Sequence, residues 1–195
     1  MVNIKICGMT NLEDCLAAID IGVDFIGFVF YKKSARYVAP ETVREISERI
    51  SGNSKIAGVF VEETEDEIDR LVDFCHLDFA QVYNRPRGPR GANRICAYRI
   101  KDALPEVSAN GLVLFDSYSE GFGGSGTPFD VSLLKGHSSL GRAFIAGGID
   151  EENVYRALDL KPFGIDLVSA VESKKGKKDL FKMERFVEKV RSYQI

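Results

Sequence analysis

Histidine and cysteine, the side chains most used to hold metals and run redox chemistry, are scarce in this sequence. There are two histidines, His76 and His137, and four cysteines, Cys7, Cys15, Cys75 and Cys96, with no C-x-x-C spacing and no histidine pattern beside them. That argues against a zinc site or a dithiol redox pair. Three of the four cysteines read as small core residues in a reducing compartment, and Cys7 stands apart because a glycine and a helix start follow it. No apolar run approaches the roughly 18 residues that span a bilayer, and the N-terminus lacks the charged start and apolar block of a signal peptide. The expectation is a cytoplasmic protein with no membrane partner. A net charge of −3 and a pI near 5.5 leave no broad positive surface, so nucleic acid is not an expected partner either.

The 195 residues are 45% hydrophobic and 28% charged, ordinary for a soluble domain, and residues 1–195 are expected to form one. The organising stretch is Asn3-Ile4-Lys5-Ile6-Cys7-Gly8-Met9-Thr10. It reads as a buried strand that delivers a thiol to an open turn just before a helix capped by Thr10 or Asn11, with Leu12, Cys15, Leu16 and Ile19 inward until Gly22. Residues 25–30 form a continuous apolar run, as expected of a strand covered on both faces. Pro40 then opens a helix with Val43, Ile46 and Ile50 inward, and residues 56–61 give a third strand. Thr64 precedes an acidic helix start suited to the positive end of the helix dipole, with Ile68, Leu71, Val72 and Cys75 on one face. Residues 79–83 are strand four.

There the alternation breaks. Residues 84–92 hold two prolines and two glycines and leave no room for an outer helix. Residues 95–100 read as strand five, followed by a turn or two of helix around residues 102–107. Residues 112–116 are strand six, leading into a glycine-rich loop and a short helical turn at 131–134. Residues 144–148 and 164–169 are strands seven and eight, with an Asp150-capped helix between them and an amphipathic helix over residues 180–190 closing the chain. Eight strands alternating with helices and no hairpin signals argue for an α/β fold of the (β/α)8 TIM-barrel type, with the helix between strands four and five missing or replaced by a loop. The flank so exposed must be covered by that loop or by another subunit, so a homo-oligomer is one expectation.

The polar residues that matter follow the apolar runs, on the rim where barrels carry their chemistry. They are Cys7, Ser34-Ala35-Arg36-Tyr37, Asp116, Gly123-Gly124-Ser125-Gly126 with Phe129-Asp130, and Gly147-Gly148. Taken alone, each has a bland reading. Cys7 can be core, Asp116 a turn aspartate, Arg36 a solvated cation beside Lys32 and Lys33, and the glycine loop a flexible connection. Asp166 can orient a substrate hydroxyl or satisfy nearby backbone. Lys174, Lys175, Lys177 and Lys178 read as a solvated face, and Arg85, Arg87 and Arg90 become an interaction loop only for an acidic partner.

Taken together and in register, with Gly27-Phe28-Val29-Phe30 and Gly176-Lys177-Lys178-Asp179, these stretches resemble the phosphoribosylanthranilate isomerase family of tryptophan biosynthesis over nearly the whole chain. The resemblance implies an Amadori rearrangement of a phosphosugar, N-(5′-phosphoribosyl)anthranilate, with no metal and no organic cofactor. It implies Asp116 as general acid, needing a pKa raised by burial, and Cys7 as general base, needing thiolate character. It also implies Arg36 as the clamp on the anthranilate carboxylate, Gln81 and Asp166 at the substrate, and Gly124 in a mobile cover. Backbone N–H groups of Gly147, Gly148, Ser169 and Ala170 would receive the phosphate. Two positions depart from the family. Tyr83 stands where a histidine is usual, so that contact to the substrate is changed or lost, and Ala170 replaces a glycine. Rival readings are another phosphosugar enzyme on the same fold, such as the related isomerase of histidine synthesis or a ribulose-phosphate epimerase, and a phosphosugar-binding barrel without turnover.

Overall fold

The computed structural model describes residues 1–83, 93–107, 111–118 and 129–193. Eight parallel strands close into a barrel in sequence order: β1 (Asn3–Cys7), β2 (Phe25–Val29), β3 (Lys55–Phe60), β4 (Phe79–Tyr83), β5 (Asn93–Ile100), β6 (Leu112–Ser117), β7 (Ala143–Ile145) and β8 (Gly164–Leu167). Closure is made by β1 against β8, with Lys5 opposite Asp166. A two-stranded antiparallel ribbon, β9 (Glu172–Lys174) and β10 (Lys177–Lys178), lies just beyond β8. All eight expected barrel strands are present, several shifted by a residue or more at their ends, and β7 stops at Ile145, before Gly147-Gly148.

The helices start where their caps dictate. In α1 (Leu12–Asp20) the Asn11 side chain accepts from the Asp14 N–H at 2.9 Å. In α2 (Pro40–Ile50) proline occupies the first turn, where its missing N–H costs nothing. In α3 (Glu65–Phe74) Thr64 and Glu67 form a reciprocal capping box, a device worth about 1 kcal/mol. Before α4 (Val154–Leu158) Asp150 accepts from the N–H groups of Glu152 and Asn153, while Asn153 takes the capping position itself. Asp179 caps α5 (Leu180–Ser192), which buries Met183, Phe186, Val187 and Val190. Each such large apolar side chain contributes roughly 1.5–3 kcal/mol by leaving water.

Two expectations fail locally. Leu16 is 40% exposed, because α1 turns Cys15 and Ala18 to the barrel and leaves Leu16 on its outer side. The helix expected around residues 102–107 is absent, and these residues run as bends and irregular chain, consistent with Pro105 removing a helical donor. The stretch expected to lack the fourth outer helix, residues 84–92, lies outside the described residues.

Two apolar layers hold the barrel. The larger lies between strands and helices, and the smaller fills the interior. At the N-terminal end of the interior Phe25, Phe79, Phe144 and Phe163 pack ring against ring, with centroids 5.1–5.4 Å apart for Phe25–Phe144, Phe144–Phe163 and Phe25–Phe79. Such pairs add about 0.5–1.5 kcal/mol beyond area burial. This aromatic plug closes one end of the barrel, so the inward positions further along the strands are free to carry polar groups toward the other. No helix among the described residues is long and apolar enough to cross a membrane.

Candidate active site

Inward-facing positions alternate along each strand, and at the carboxyl ends they converge on one pocket. Its lining includes Cys7 from β1, Gln81 and Tyr83 from β4, Arg99 from β5, Asp116 from β6 and Asp166 from β8, with Arg36, Gly147, Gly148 and Ser169 from the loops. Cys7 and Asp116 therefore open onto the same cavity from strands that lie three places apart around the barrel. Of the sequence-derived candidates, Ala170 does not line the pocket; it sits one residue further into a 3-10 turn, partly packed on the core. Gly124 lies outside the described residues, as does the rest of the glycine loop up to residue 128.

Two glycines set the pose of the thiol and the guanidinium. A Cβ on Gly27, opposite Cys7 on the neighbouring strand, would lie 2.8 Å from Cys7 Sγ and 3.0 Å from its Cα. Gly8 adopts φ +74°, and a Cβ there would strike Arg36 Cδ at 2.5 Å. The hydrogen of each glycine is thus the space the functional side chain occupies.

Arg36 is not the free clamp the sequence suggested. Its Nε and Nη2 donate in bidentate fashion to Oε1 and Oε2 of Glu172, both at 2.7 Å. Nη1 has no hydrogen-bond partner among the described residues and is the donor left for a ligand in the pocket that Arg36 lines. Glu172 Oε1 also accepts from the Gly176 N–H and from Lys178 Nζ, each at 3.2 Å. Lys178 in turn donates to the carbonyls of Cys7 at 2.7 Å and Val168 at 3.1 Å. Its side chain is fully buried, so the solvated face assigned to Lys174–Lys178 is corrected at this residue. The ribbon β9–β10 folds Lys178 inward, beneath the ends of β1 and β8. Burial holds the Lys178 ammonium below its ordinary pKa, against the pull of Glu172. Burial also works against the Glu172 carboxylate, but Arg36 and Lys178 outweigh it and keep Glu172 below the usual range. Sequence inspection missed this anion because Glu172 is 136 residues from Arg36; its one local signal is its place just after strand eight, near the Gly176-Lys177-Lys178-Asp179 motif.

A second missed group is Lys5, fully buried on β1, whose Nζ donates to Asp166 Oδ1 at 2.8 Å. Burial opposes the charge on Lys5 and the Asp166 carboxylate favours it, and the ammonium is held above its ordinary pKa. Asp166 thus lines the pocket, as expected, but one of its oxygens is committed to Lys5. Cys7 differs from expectation as well. Burial pushes its thiol up, and Lys5 and Lys178 reduce that rise without reversing it, so the resting side chain is a thiol and not a thiolate.

Asp116 is shifted in the direction an acid needs. Burial pushes it up to about 6, against a hydrogen bond from Tyr83 that works in the opposite direction. Tyr83, expected to alter a substrate contact, donates its hydroxyl to Asp116 Oδ2 at 3.0 Å and accepts from Gln81 Nε2 at 3.4 Å. Gln81 is itself buried, and its Oε1 accepts no hydrogen bond among the described residues although it lies in the pocket wall. Among the described residues, no group of three or more His, Cys, Asp or Glu side chains converges as a metal site.

The chain is similar to known proteins over nearly its whole length. A family model described as N-(5'phosphoribosyl)anthranilate (PRA) isomerase matches residues 4–189. The N-(5'-phosphoribosyl)anthranilate isomerase of Rubrobacter xylanophilus is 37% identical over 207 residues, covering 98% of this chain and 100% of that protein. The crystal structure of phosphoribosyl anthranilate isomerase from Thermus thermophilus is similar with a TM-score of 0.89 at 31% identity, covering 98% of this chain and 99% of that one. A phosphoribosyl anthranilate isomerase in complex with reduced 1-(o-carboxyphenylamino)-1-deoxyribulose 5-phosphate is similar with a TM-score of 0.80 at 29% identity, covering 99% and 100%. A barrel that brings a cysteine and an aspartic acid to one pocket, matched end to end by these relatives, belongs to the N-(5'-phosphoribosyl)anthranilate isomerase family.

Proposed function

We propose that this chain catalyses the Amadori rearrangement of N-(5'-phosphoribosyl)anthranilate to 1-(2-carboxyphenylamino)-1-deoxyribulose 5-phosphate, with Asp116 as general acid and Cys7 as general base. The observation that carries it is the opening of Cys7 and Asp116 onto one pocket, in surroundings that raise the carboxyl to about 6. Asp116 gives its proton to the ribose ring oxygen while the C1–O bond breaks onto that oxygen and the anthranilate nitrogen pair closes C1=N. The Cys7 thiolate, formed when the resting thiol gives its proton to water, then removes the proton on C2, and the C–H pair forms C1=C2 as nitrogen recovers its own. Ketonisation takes one proton from O2 and places one on C1. Acid and base are restored when these two exchanges run through Asp116 and Cys7.

The base must work as a thiolate, and the cations that favour it are Lys5 and Lys178. Arg36 Nη1, with its fork fixed by Glu172, is the donor we assign to the anthranilate carboxylate. The phosphate is assigned to the backbone of Gly148 and Ser169, at the neighbouring ends of β7 and β8. Gln81 Oε1, an acceptor with no hydrogen-bond partner among the described residues, suits a sugar hydroxyl.

The test is a fluorescence assay that follows consumption of freshly made phosphoribosylanthranilate. Cys7→Ser and Asp116→Asn are each expected to lower kcat by about 10²–10⁴-fold, the range general acid–base groups contribute. Turnover within a few fold of the unaltered protein in either variant would refute the assigned role, and no turnover in the unaltered protein would refute the activity.

A further inference from the structure

The residue that departs from the family pattern is also the one that touches the acid. Tyr83 and Asp116 lie on β4 and β6, one strand apart, and the Tyr83 hydroxyl bridges β5 to reach Oδ2 at 3.0 Å. A phenol has a single hydrogen, so a hydroxyl that donates to Asp116 must meet other groups as an acceptor. It does so with Gln81 Nε2 at 3.4 Å. Gln81 is 1% exposed and its amide is held in the β4 wall two residues below, so the chain Gln81 to Tyr83 to Asp116 runs in one direction.

We propose that Tyr83 is a positioning residue for Asp116: by donating to Oδ2 it reserves that oxygen as an acceptor and directs the transferable proton to Oδ1, with Gln81 fixing the direction of the hydroxyl. This rests on the reading of Asp116 as the general acid. In the step it serves, the Oδ1–H bond breaks, its pair stays on Oδ1, and the proton goes to the ribose ring oxygen. Without Tyr83 neither oxygen is reserved as an acceptor, and the proton is shared between the two.

The same bond opposes the upward push of burial on the Asp116 carboxyl, as do a hydrogen bond from the Ser117 backbone N–H and the charge of Lys5 on β1, while Asp166 from β8 adds to that push. Arg99 stands opposite Asp116 on β5, and Cys7, Tyr31 and Arg36 complete the titratable or charged groups of the pocket wall. Loss of one hydrogen bond to a carboxylate is expected to raise its midpoint by about one pH unit.

The experiment follows the Asp116 carboxyl by ¹³C NMR in protein labelled at the aspartate side-chain carboxyls, with the signal identified by its absence in Asp116→Asn. The midpoint is expected near 6 in the unaltered protein, about one unit higher in Tyr83→Phe, and back at or below the starting value in Tyr83→His, whose ring N–H can donate. The limb of the kcat/KM profile that depends on Asp116 should move with the midpoint while KM stays within a few fold. An unmoved Asp116 midpoint in Tyr83→Phe would overturn the proposal, as would an equal shift in Tyr83→His. The NMR arm needs no activity, so it decides the proposal even if Tyr83→Phe does not turn over. Full activity in Asp116→Asn would instead remove the general-acid reading on which it rests.

Discussion

Replacing Glu172 by glutamine removes one negative charge from between two buried cations and changes almost no volume. Arg36 and Glu172 have side chains 8% and 5% exposed, and Lys178 is fully buried. In Glu172→Gln the amide oxygen can keep one Arg36 contact, but the amide NH₂ then faces further N–H donors, and the two cations are left without the anion that neutralised them. Breaking a buried pair by removing one partner costs about 3–5 kcal/mol. With a urea m-value of roughly 2–3 kcal/mol/M for a chain of this size, the unfolding midpoint should fall by about 1–2.5 M.

The loss should also depend on pH. Burial already holds Lys178 below its ordinary pKa, and the Glu172 carboxylate does most to resist that fall, so the variant lowers Lys178 further. A lysine depressed in the folded state binds fewer protons folded than unfolded, so stability rises with pH until the unfolded lysine itself titrates near 10.4. The deficit should therefore narrow as pH rises from 7 toward the titration of the unfolded lysine. Urea unfolding followed by far-UV circular dichroism suits a chain without tryptophan. A midpoint within about 0.3 M of the unaltered protein at pH 7, or a deficit that widens with pH, would refute the reasoning.

Two further expectations come from the same site. Because burial outweighs Lys5 and Lys178 at Cys7, alkylation of Cys7 by iodoacetamide in the ligand-free protein should still be accelerating above pH 9, beyond the ordinary thiol range; a plateau reached by pH 8, located by peptide mapping, would contradict this. Gly27→Ala places a methyl 2.8 Å from Cys7 Sγ, so kcat should fall at least tenfold and the thermal midpoint by several degrees, as expected for overpacking of about 1–3 kcal/mol. An alanine variant with unchanged kcat would show that the thiol has room to move without loss.

Much of this protein is written locally in its chain. The apolar run at 25–30 reads as a strand covered on both faces, and Asn11 and Thr64 announce helix starts because a cap acts on N–H groups two or three residues away. Cys7 and Asp116 are visible because a strand ending at the barrel mouth delivers its next inward residue to the pocket, and Arg36 through the resemblance of its loop to a family motif. What no local pattern carries is the identity of a partner far along the chain. Lys5 meets Asp166 across 161 residues, Arg36 meets Glu172 across 136, and Lys178 meets the Cys7 carbonyl across 171. In the sequence Lys178 is one of four lysines in a polar run; closing the barrel places the ends of β1 and β8 side by side and folds the β9–β10 ribbon over them, and only that makes it a buried ammonium. The acidity of Asp116 and the resting state of Cys7 belong to the same class, because both depend on how much water the closed cylinder excludes and which charges it encloses with them.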